Sequence, residues 1–279
     1  MHLFISDLDG TLLDRNAELP AETKDRLNRL IADGMDFTVA TARTYSSVGR
    51  ILAGLELKLP LILMNGVLIY DPVLQKYDVV NKLSSGAVEK VLKLRRQLDL
   101  APFMYRMQGD VMTTAFDRLL GESMHDFYEE RVRKYGKQFC QADRLEDIAE
   151  DVIYFCFIDK SERLQPLYNA IKEVPDLSMA YYPDIYGEDY YLEIFSSAAS
   201  KEAGVKWLRE KLGADRITAF GDNLNDLPMF DAADERIAVN NAAEELKKRA
   251  DRVIGANTEN GVAVYLERYF GGKTEEKNG

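Results

Sequence analysis

Short apolar runs, each closed by a polar turn, alternate with amphipathic stretches over the first 80 residues of the chain. Residues 3–6 form such a run, which ends at Asp7-Leu8-Asp9-Gly10-Thr11. A helix is predicted from about Pro20, where proline suits a first turn, to Gly34, which closes it. Leu27, Leu30 and Ile31 share one face of it at i, i+3, i+4 spacing. Residues 37–40 and 60–64 read as the next strands, the second closing at Asn65-Gly66. Strand, helix, strand at this spacing predicts a parallel α/β sheet.

The texture changes near Leu83. Ser84 or Ser85 is placed to cap a helix through Val88, Val91, Leu92 and Leu98. Residues 152–158 read as a strand and 124–135 as a strongly charged helix. Ten of the 15 tyrosines fall between Leu83 and Leu192. The run Tyr181-Tyr182-Pro183-Asp184-Ile185-Tyr186, continued at Tyr190-Tyr191, suits tyrosines covering half-buried surface better than a substrate grip. This stretch reads as an α+β insertion. The first pattern returns after Ile194: Ser200 caps a helix carrying Val205, Leu208 and Leu212, and Gly213 ends it. Strands are predicted at 217–220, 237–239 and 252–254, and a frayed polar tail from Gly271. The predicted architecture is a Rossmann-like parallel α/β core, residues 1–82 and 193–279, split by an α+β cap, residues 83–192.

Composition narrows the function. Hydrophobic residues make up 46% and charged residues 30% of the 279 positions, which permits a packed core. The net charge is −11, with Lys and Arg scattered along the chain, which argues against nucleic acid or an anionic membrane as partner. The longest uncharged run, 59–70, is short of the roughly 20 residues that span a bilayer. Residues 3–5 meet Asp7 at once, so no signal peptide is expected. Two cysteines, Cys140 and Cys156, build neither a disulfide framework nor a thiolate metal site. A cytoplasmic globular protein, monomer or homodimer, is expected.

Four polar clusters stand where predicted strands end: Asp7/Asp9, Thr41, Asn65-Gly66 and Asp222/Asn225/Asp226. Ligands of parallel α/β sheets bind beyond the carboxyl ends of the strands, so these clusters are positioned to converge. Acidic groups from two strands in one crevice repel unless a cation lies between them. The all-oxygen set Asp7, Asp9 and Asp222 suits Mg²⁺. Thr41 has a hydroxyl to donate, Leu8 and Ala42 have backbone N–H groups, and Lys201 stands at a helix start that already favours an anion. Together they outline a phosphate site.

Asp7-Leu8-Asp9-Gly10-Thr11, Val39-Ala40-Thr41-Ala42-Arg43, Lys201 and Gly221-Asp222-Asn223-Leu224-Asn225-Asp226 resemble, in order and spacing, the four motifs of the haloacid-dehalogenase-like hydrolases. The insertion of roughly 110 residues resembles the cap of the Cof-type branch, as do Asn65-Gly66 and Gly261-Val262-Ala263. The resemblance implies a Mg²⁺-dependent phosphatase of small phosphorylated metabolites. Asp7 would be the nucleophile that becomes an aspartyl-phosphate, and Asp9 the general acid and base. Metal ligands would be the Asp7 carboxylate, the Asp9 backbone carbonyl and Asp222, with Asp226 supporting that shell. Asn225 would touch the phosphate, while Lys201 and Thr41 would neutralise its charge. The sequence departs from the family at Ala42, where glycine is usual, and at Val239-Asn240, where Met-Gly is usual. Alanine has no easy access to positive φ, which puts its phosphate contact in question. Two other functions fit the scaffold: a phosphosugar mutase-like phosphotransferase and a non-catalytic ligand-binding protein. A mutase needs cap arginines, and Arg95, Arg96, Arg106, Arg131 and Arg133 read instead as solvated helix faces. Asp9 argues against a mere binder.

Overall fold

The computed structural model describes residues 1–184 and 187–276, with side chains described as far as Gly271. Two compact units divide the chain: Met1–Asp78 with Ser200–Gly279, and Val79–Ala199. These divisions differ from the predicted 82/83 and 192/193. The later one shifts because a strand of the second unit, Tyr190–Ser196, runs unbroken through position 192.

The first unit contains β1 (His2–Ser6), α1 (Ala21–Ala32), β2 (Asp36–Val39), α2 (Tyr45–Ile51), β3 (Leu61–Leu63), β4 (Leu68–Asp71) and β5 (Lys76–Val80), the last crossing into the second unit. The second unit contains α3 (Ser85–Gln97), β6 (Pro102–Gln108), β7 (Val111–Phe116), α4 (Gly121–Tyr135), β8 (Phe139–Gln141), β9 (Val152–Asp159), α5 (Ser161–Ile171), β10 (Leu177–Pro183) and β11 (Tyr190–Ser196). The first unit resumes with α6 (Lys201–Leu212), β12 (Arg216–Gly221), α7 (Leu227–Ala232), β13 (Glu235–Val239), α8 (Glu244–Arg249), β14 (Arg252–Ile254) and α9 (Gly261–Glu276). The helix α9 continues past Gly271 to Glu276, where the sequence predicts a polar tail. Among the described residues no helix is long and apolar enough to cross a membrane.

In the first unit five strands form a parallel sheet in the order β14-β13-β12-β1-β2. The predicted strands are present, each within two residues of its expected ends. Pro20 precedes α1 as its N-cap, Leu27, Leu30 and Ile31 are buried, and Gly34 takes a positive φ of 97° just beyond the helix. Ser200 caps α6 by accepting from the Ala203 N–H at 2.9 Å. Register matters for function here. Ser6 lies beside both Phe220 and Val39, so the chain leaves β1, β2 and β12 at one level.

In the second unit six strands run β10-β11-β9-β6-β7-β8, antiparallel except for the parallel pair β7–β8. Ser84 is the residue that caps α3, accepting from Ala87 N–H at 3.2 Å. One sheet face is the core: Met104, Phe155, Phe157, Leu192 and Ile194 pack with Val88, Val91, Leu164 and Leu167. The opposite face carries Phe103 stacked on Phe127 of α4, with ring centroids 4.9 Å apart. The solvated reading of the arginines needs correction at two positions. Arg95 is 3% exposed and pairs with Asp117 and Glu146, and Arg106 lies on strand β6 with a buried Nε. Helical periodicity fails to separate a buried arginine from an exposed one when its carboxylate partners come from distant segments. Tyr181 stacks on Tyr168 and hydrogen-bonds Ser161, and Tyr182 stacks on Tyr191, so these rings cover the sheet. Ile185 and Tyr186 lie outside the described residues.

Candidate active site

Asp7 is the first residue past β1, and its N–H donates to the carbonyl of Phe220 on β12 at 2.9 Å. That bond places its side chain between the ends of two parallel strands. Asp222 is the first residue past β12 and arrives at the same level. The 3₁₀ turn Leu224–Asp226 then folds back, and Asp226 Oδ2 accepts the N–H groups of Asp222 at 2.9 Å and Asn223 at 3.1 Å. Gly221 permits this return, because a Cβ there would lie 2.8 Å from the Asp226 side chain.

Lys201, at the first turn of α6, is 1% exposed. Its ammonium donates to Asp7 Oδ1 at 2.5 Å and to Asp226 Oδ1 at 2.7 Å. Gly66 lets the strand-end turn approach this helix start. It has a φ of 93°, and a Cβ would fall 2.2 Å from the Ser200 carbonyl oxygen. Asp7, Asp222 and Asp226 each offer a carboxylate oxygen within 4.8 Å of the others. Thr11 donates to Asp222 Oδ1 at 3.0 Å. Gly10, with φ 75°, is required beside it, since a Cβ would collide with the Asp222 carboxylate at 2.3 Å.

Three carboxylates face one ammonium, and the electrostatics follow from that imbalance. Burial drives the Asp7 carboxyl well above the usual carboxylate range; Lys201 pulls it down, while Asp226 and Asp222 push it further up. Asp222 is pushed up to about 6, first by burial and then by Asp226, with Thr11 and Lys201 opposing. Burial works to lower Lys201, but Asp226 and Asp7 outweigh it and hold its pKa above that of an ordinary lysine. The site is short of positive charge.

Asp9 is oriented by a residue that sequence reasoning quoted in a motif but gave no role. Arg43 holds the Asp9 carboxylate in a two-bond fork, Nε to Oδ2 at 2.7 Å and an Nη to Oδ1 at 2.6 Å. Its other Nη reaches Ser47 at 3.0 Å. Only its place two residues after Thr41 marked it out. Thr41 is buried; its Oγ1 accepts the Arg43 N–H at 3.1 Å, which leaves the hydroxyl proton free to point elsewhere. Ala42 has no positive φ, so alanine carries no strain where glycine is usual. Leu8 is fully buried and its carbonyl accepts from Leu12 and Leu13. Asn225 lies exposed on the turn before Asp226. Asn241, part of the departing Val239-Asn240-Asn241 segment, donates to the Gly10 carbonyl at 2.8 Å and so braces the first motif.

A haloacid dehalogenase-like hydrolase family model matches residues 4–266. The chain belongs to the haloacid dehalogenase-like hydrolases. This family membership makes it an enzyme, a hydrolase, with the mixed α/β fold of its relatives. It is 25% identical over 281 residues to the 5-amino-6-(5-phospho-D-ribitylamino)uracil phosphatase YitU of Bacillus subtilis, covering 96% of this chain and 97% of that one. It is 27% identical over 290 residues to the phosphatase YwpJ of the same organism, covering 96% and 99%. Among solved structures, a haloacid dehalogenase-like hydrolase from Bacteroides thetaiotaomicron superposes with a TM-score of 0.79 at 24% identity, covering 96% of this chain and 98% of that one.

Proposed function

We propose that this hydrolase is a cytoplasmic, Mg²⁺-dependent phosphatase of small phosphorylated metabolites that works through a phosphoryl group carried on Asp7. The observation that carries the reading is the Asp7–Lys201–Asp226 cluster with Asp222 beside it. A buried carboxylate at a strand end lies against a buried lysine in a site that lacks positive charge. The phosphatase names of the curated relatives support it, one of them acting on a phosphorylated ribityl compound.

The donor set fits a divalent metal. All the groups are oxygen, the preference of Mg²⁺, and burial together with Asp226 raises both Asp7 and Asp222, so a cation between them would be favoured. Asp7, the Asp9 main-chain carbonyl and Asp222 would hold it. Asp226 would act as support, because both its oxygens already accept hydrogen bonds. When bound, the metal neutralises charge on the phosphoryl oxygens.

The chain's own groups account for the bond changes. An Asp7 oxygen attacks phosphorus, and the bond from phosphorus to the leaving oxygen breaks. Asp9 gives its proton to that oxygen. Water then attacks the phosphoryl group on Asp7 while Asp9 takes the water's proton, which releases inorganic phosphate and restores both aspartates. Arg43 orients Asp9 when it is ionised, and in the protonated acid one of the two Arg43 bonds gives way. Lys201, the Thr41 hydroxyl, the Leu8 and Ala42 N–H groups and Asn225 bind the phosphoryl oxygens, where positioning and electrostatics supply most of the rate.

Purified protein with Mg²⁺ is expected to release phosphate from sugar and polyol phosphates, and a chelator should abolish release. No release from a broad panel of phosphomonoesters would reject the reading. Metal binding should also register in stability. Carboxyls whose folded pKa is raised contribute stability below their unfolded pKa and lose it as pH climbs through the folded value, about 6 for Asp222. The metal-free protein is therefore penalised at pH 7.5, and the gain in Tm on adding Mg²⁺ should be larger at pH 7.5 than at pH 5. An equal gain at both pH values would contradict the carboxylate ligand set.

A further inference from the structure

Strand register sets Tyr105, Thr114 and Phe139 directly opposite one another across β6, β7 and β8, in one row on one face of the second unit's sheet. Lys137, from the turn between α4 and β8, extends over this row. Its ammonium is 4.0 Å from the Tyr105 ring centroid and 5.0 Å from that of Phe139. Strands are spaced about 4.8 Å apart, so the two rings flank Thr114 and the ammonium lies between them.

One buried hydroxyl here is unsatisfied, and a neighbouring ammonium has no acceptor among the described residues. Thr114 is 1% exposed, and its Oγ1 has no hydrogen-bond partner among the described residues. Lys137 is 9% exposed, and among the described residues its ammonium has ring faces for company but neither a carboxylate nor a carbonyl acceptor. Ring faces compensate part of the cost of burying a cation, while a missing acceptor leaves the rest.

A second cation shares this face. Arg131 of α4 lies 3.6 Å over the Phe127 ring and pairs with the neighbouring, half-exposed Glu130. Burial and the Arg131 charge bring the Lys137 pKa down to about 7, with only Cys156 pulling the other way. Glu193, paired across the strands with Cys156, is itself raised by burial; Tyr154, Tyr182 and Arg131 oppose that rise. It leaves Lys137 uncompensated. Arg131 thus has Glu130 and Glu193 as counter-charges, whereas no carboxylate answers Lys137 among the described residues.

We propose that Lys137, Arg131 and Thr114 form an anion-binding subsite of the cap, for a compact oxyanion of the phosphate or carboxylate kind. Lys137 and Arg131 supply charge-assisted donors and Thr114 a third. The oxyanion supplies the acceptor that Lys137 and Thr114 lack.

The test uses the full chain at constant ionic strength in chloride buffer, with inorganic phosphate or acetate added. Wild type, Lys137→Met and Thr114→Val are compared by thermal melting. In chloride alone Lys137→Met should melt no lower than wild type, because methionine fills the space without an unpaired charge. With phosphate the wild type should gain several degrees more than Lys137→Met, and Thr114→Val should fall between them. Phosphate binding at the Asp7 site is common to all three proteins and cancels in the comparison. A matching gain with acetate would assign the subsite to carboxylates as well; a gain with phosphate alone would assign it to phosphates. An independent readout is amine labelling at pH 7.5, followed by mass spectrometry of the peptide containing Lys137. The anion should slow modification of that lysine at least fivefold, a measurement that needs no variant to fold. Equal anion-dependent gains in wild type and Lys137→Met, or unchanged labelling of Lys137, would overturn the proposal. A large loss of stability in Lys137→Met in chloride alone would also overturn it, by making the lysine a structural cation. None of these readouts uses phosphatase activity, so the proposal and the functional reading fail separately.

Discussion

Asp7→Asn should abolish turnover, by at least about 10³-fold in kcat, with no loss of folded protein. No neighbouring group can replace the nucleophile: Asp226 is committed to Lys201 and the Asp222 and Asn223 amides, and Asp9 is assigned to proton transfer. Stability should move the other way. Three carboxylates surround one lysine, and burial opposes ionisation of Asp7, so removing one negative charge relieves the metal-free site. Lys201 keeps Asp226 as a partner at 2.7 Å. In metal-free buffer at pH 7.5 the variant should therefore melt at or above the wild-type temperature. The Tm gain caused by Mg²⁺ should shrink or vanish. Retention of more than a few per cent of the wild-type rate would remove Asp7 from the mechanism. A sharply lower melting temperature would show that the carboxylate is structural.

Lys201→Met should be damaging in both respects. The ammonium is the only cation bonded to Asp7 and Asp226 among the described residues, and all three side chains are buried. Taking away one partner of a buried ionic cluster typically costs about 3–5 kcal/mol, because the remaining charges stay desolvated and unpaired. At the transition state the loss of one positioned donor is worth about 10²–10³ in kcat. Mg²⁺ should recover part of the stability, since it supplies positive charge to the same carboxylates, but little of the rate. Lys201→Arg keeps the charge while presenting a wider planar group, so it should fold better than Lys201→Met and remain slow. An unchanged kcat/KM in a folded Lys201→Met protein would rule out its proposed role on the phosphoryl group.

The parts of this molecule legible in the sequence are those where local chemistry and fold agree. Strand ends at Ser6 and Gly221 were visible because an apolar run stops at a carboxylate, and Ser200 and Gly213 marked both ends of α6. Parallel-sheet topology predicts convergence of Asp7, Asp222 and Asp226, and Lys201 stands out only by its helix start and motif order; hydrogen bonds join all four in one cluster. What stayed hidden depends on partners far away in sequence. Arg43 grips Asp9 across 34 positions, and Arg95 is buried because Asp117 and Glu146 reach it from two other segments. Nothing in the periodicity around either arginine signals these pairings. The Lys137 and Thr114 pair was equally silent, since it arises from cross-strand register between β7 and β8. The absence of strain at Ala42 also required backbone angles, because a sequence shows which residue replaces glycine but not whether positive φ was needed.

The central claim is that a phosphoryl group passes through Asp7 and that Asp9 hands over the protons. Asp9→Asn separates the two roles: asparagine keeps the main-chain carbonyl but cannot accept a proton from water. With p-nitrophenyl phosphate, whose leaving group needs little acid assistance, this variant should release about one equivalent of nitrophenol per enzyme and then nearly stop. Mass spectrometry of the acid-quenched protein decides the matter. The account predicts one added phosphoryl group on the peptide containing Asp7, lost on hydroxylamine treatment. Steady turnover without a burst, or a phosphoryl group on any other residue, would contradict it.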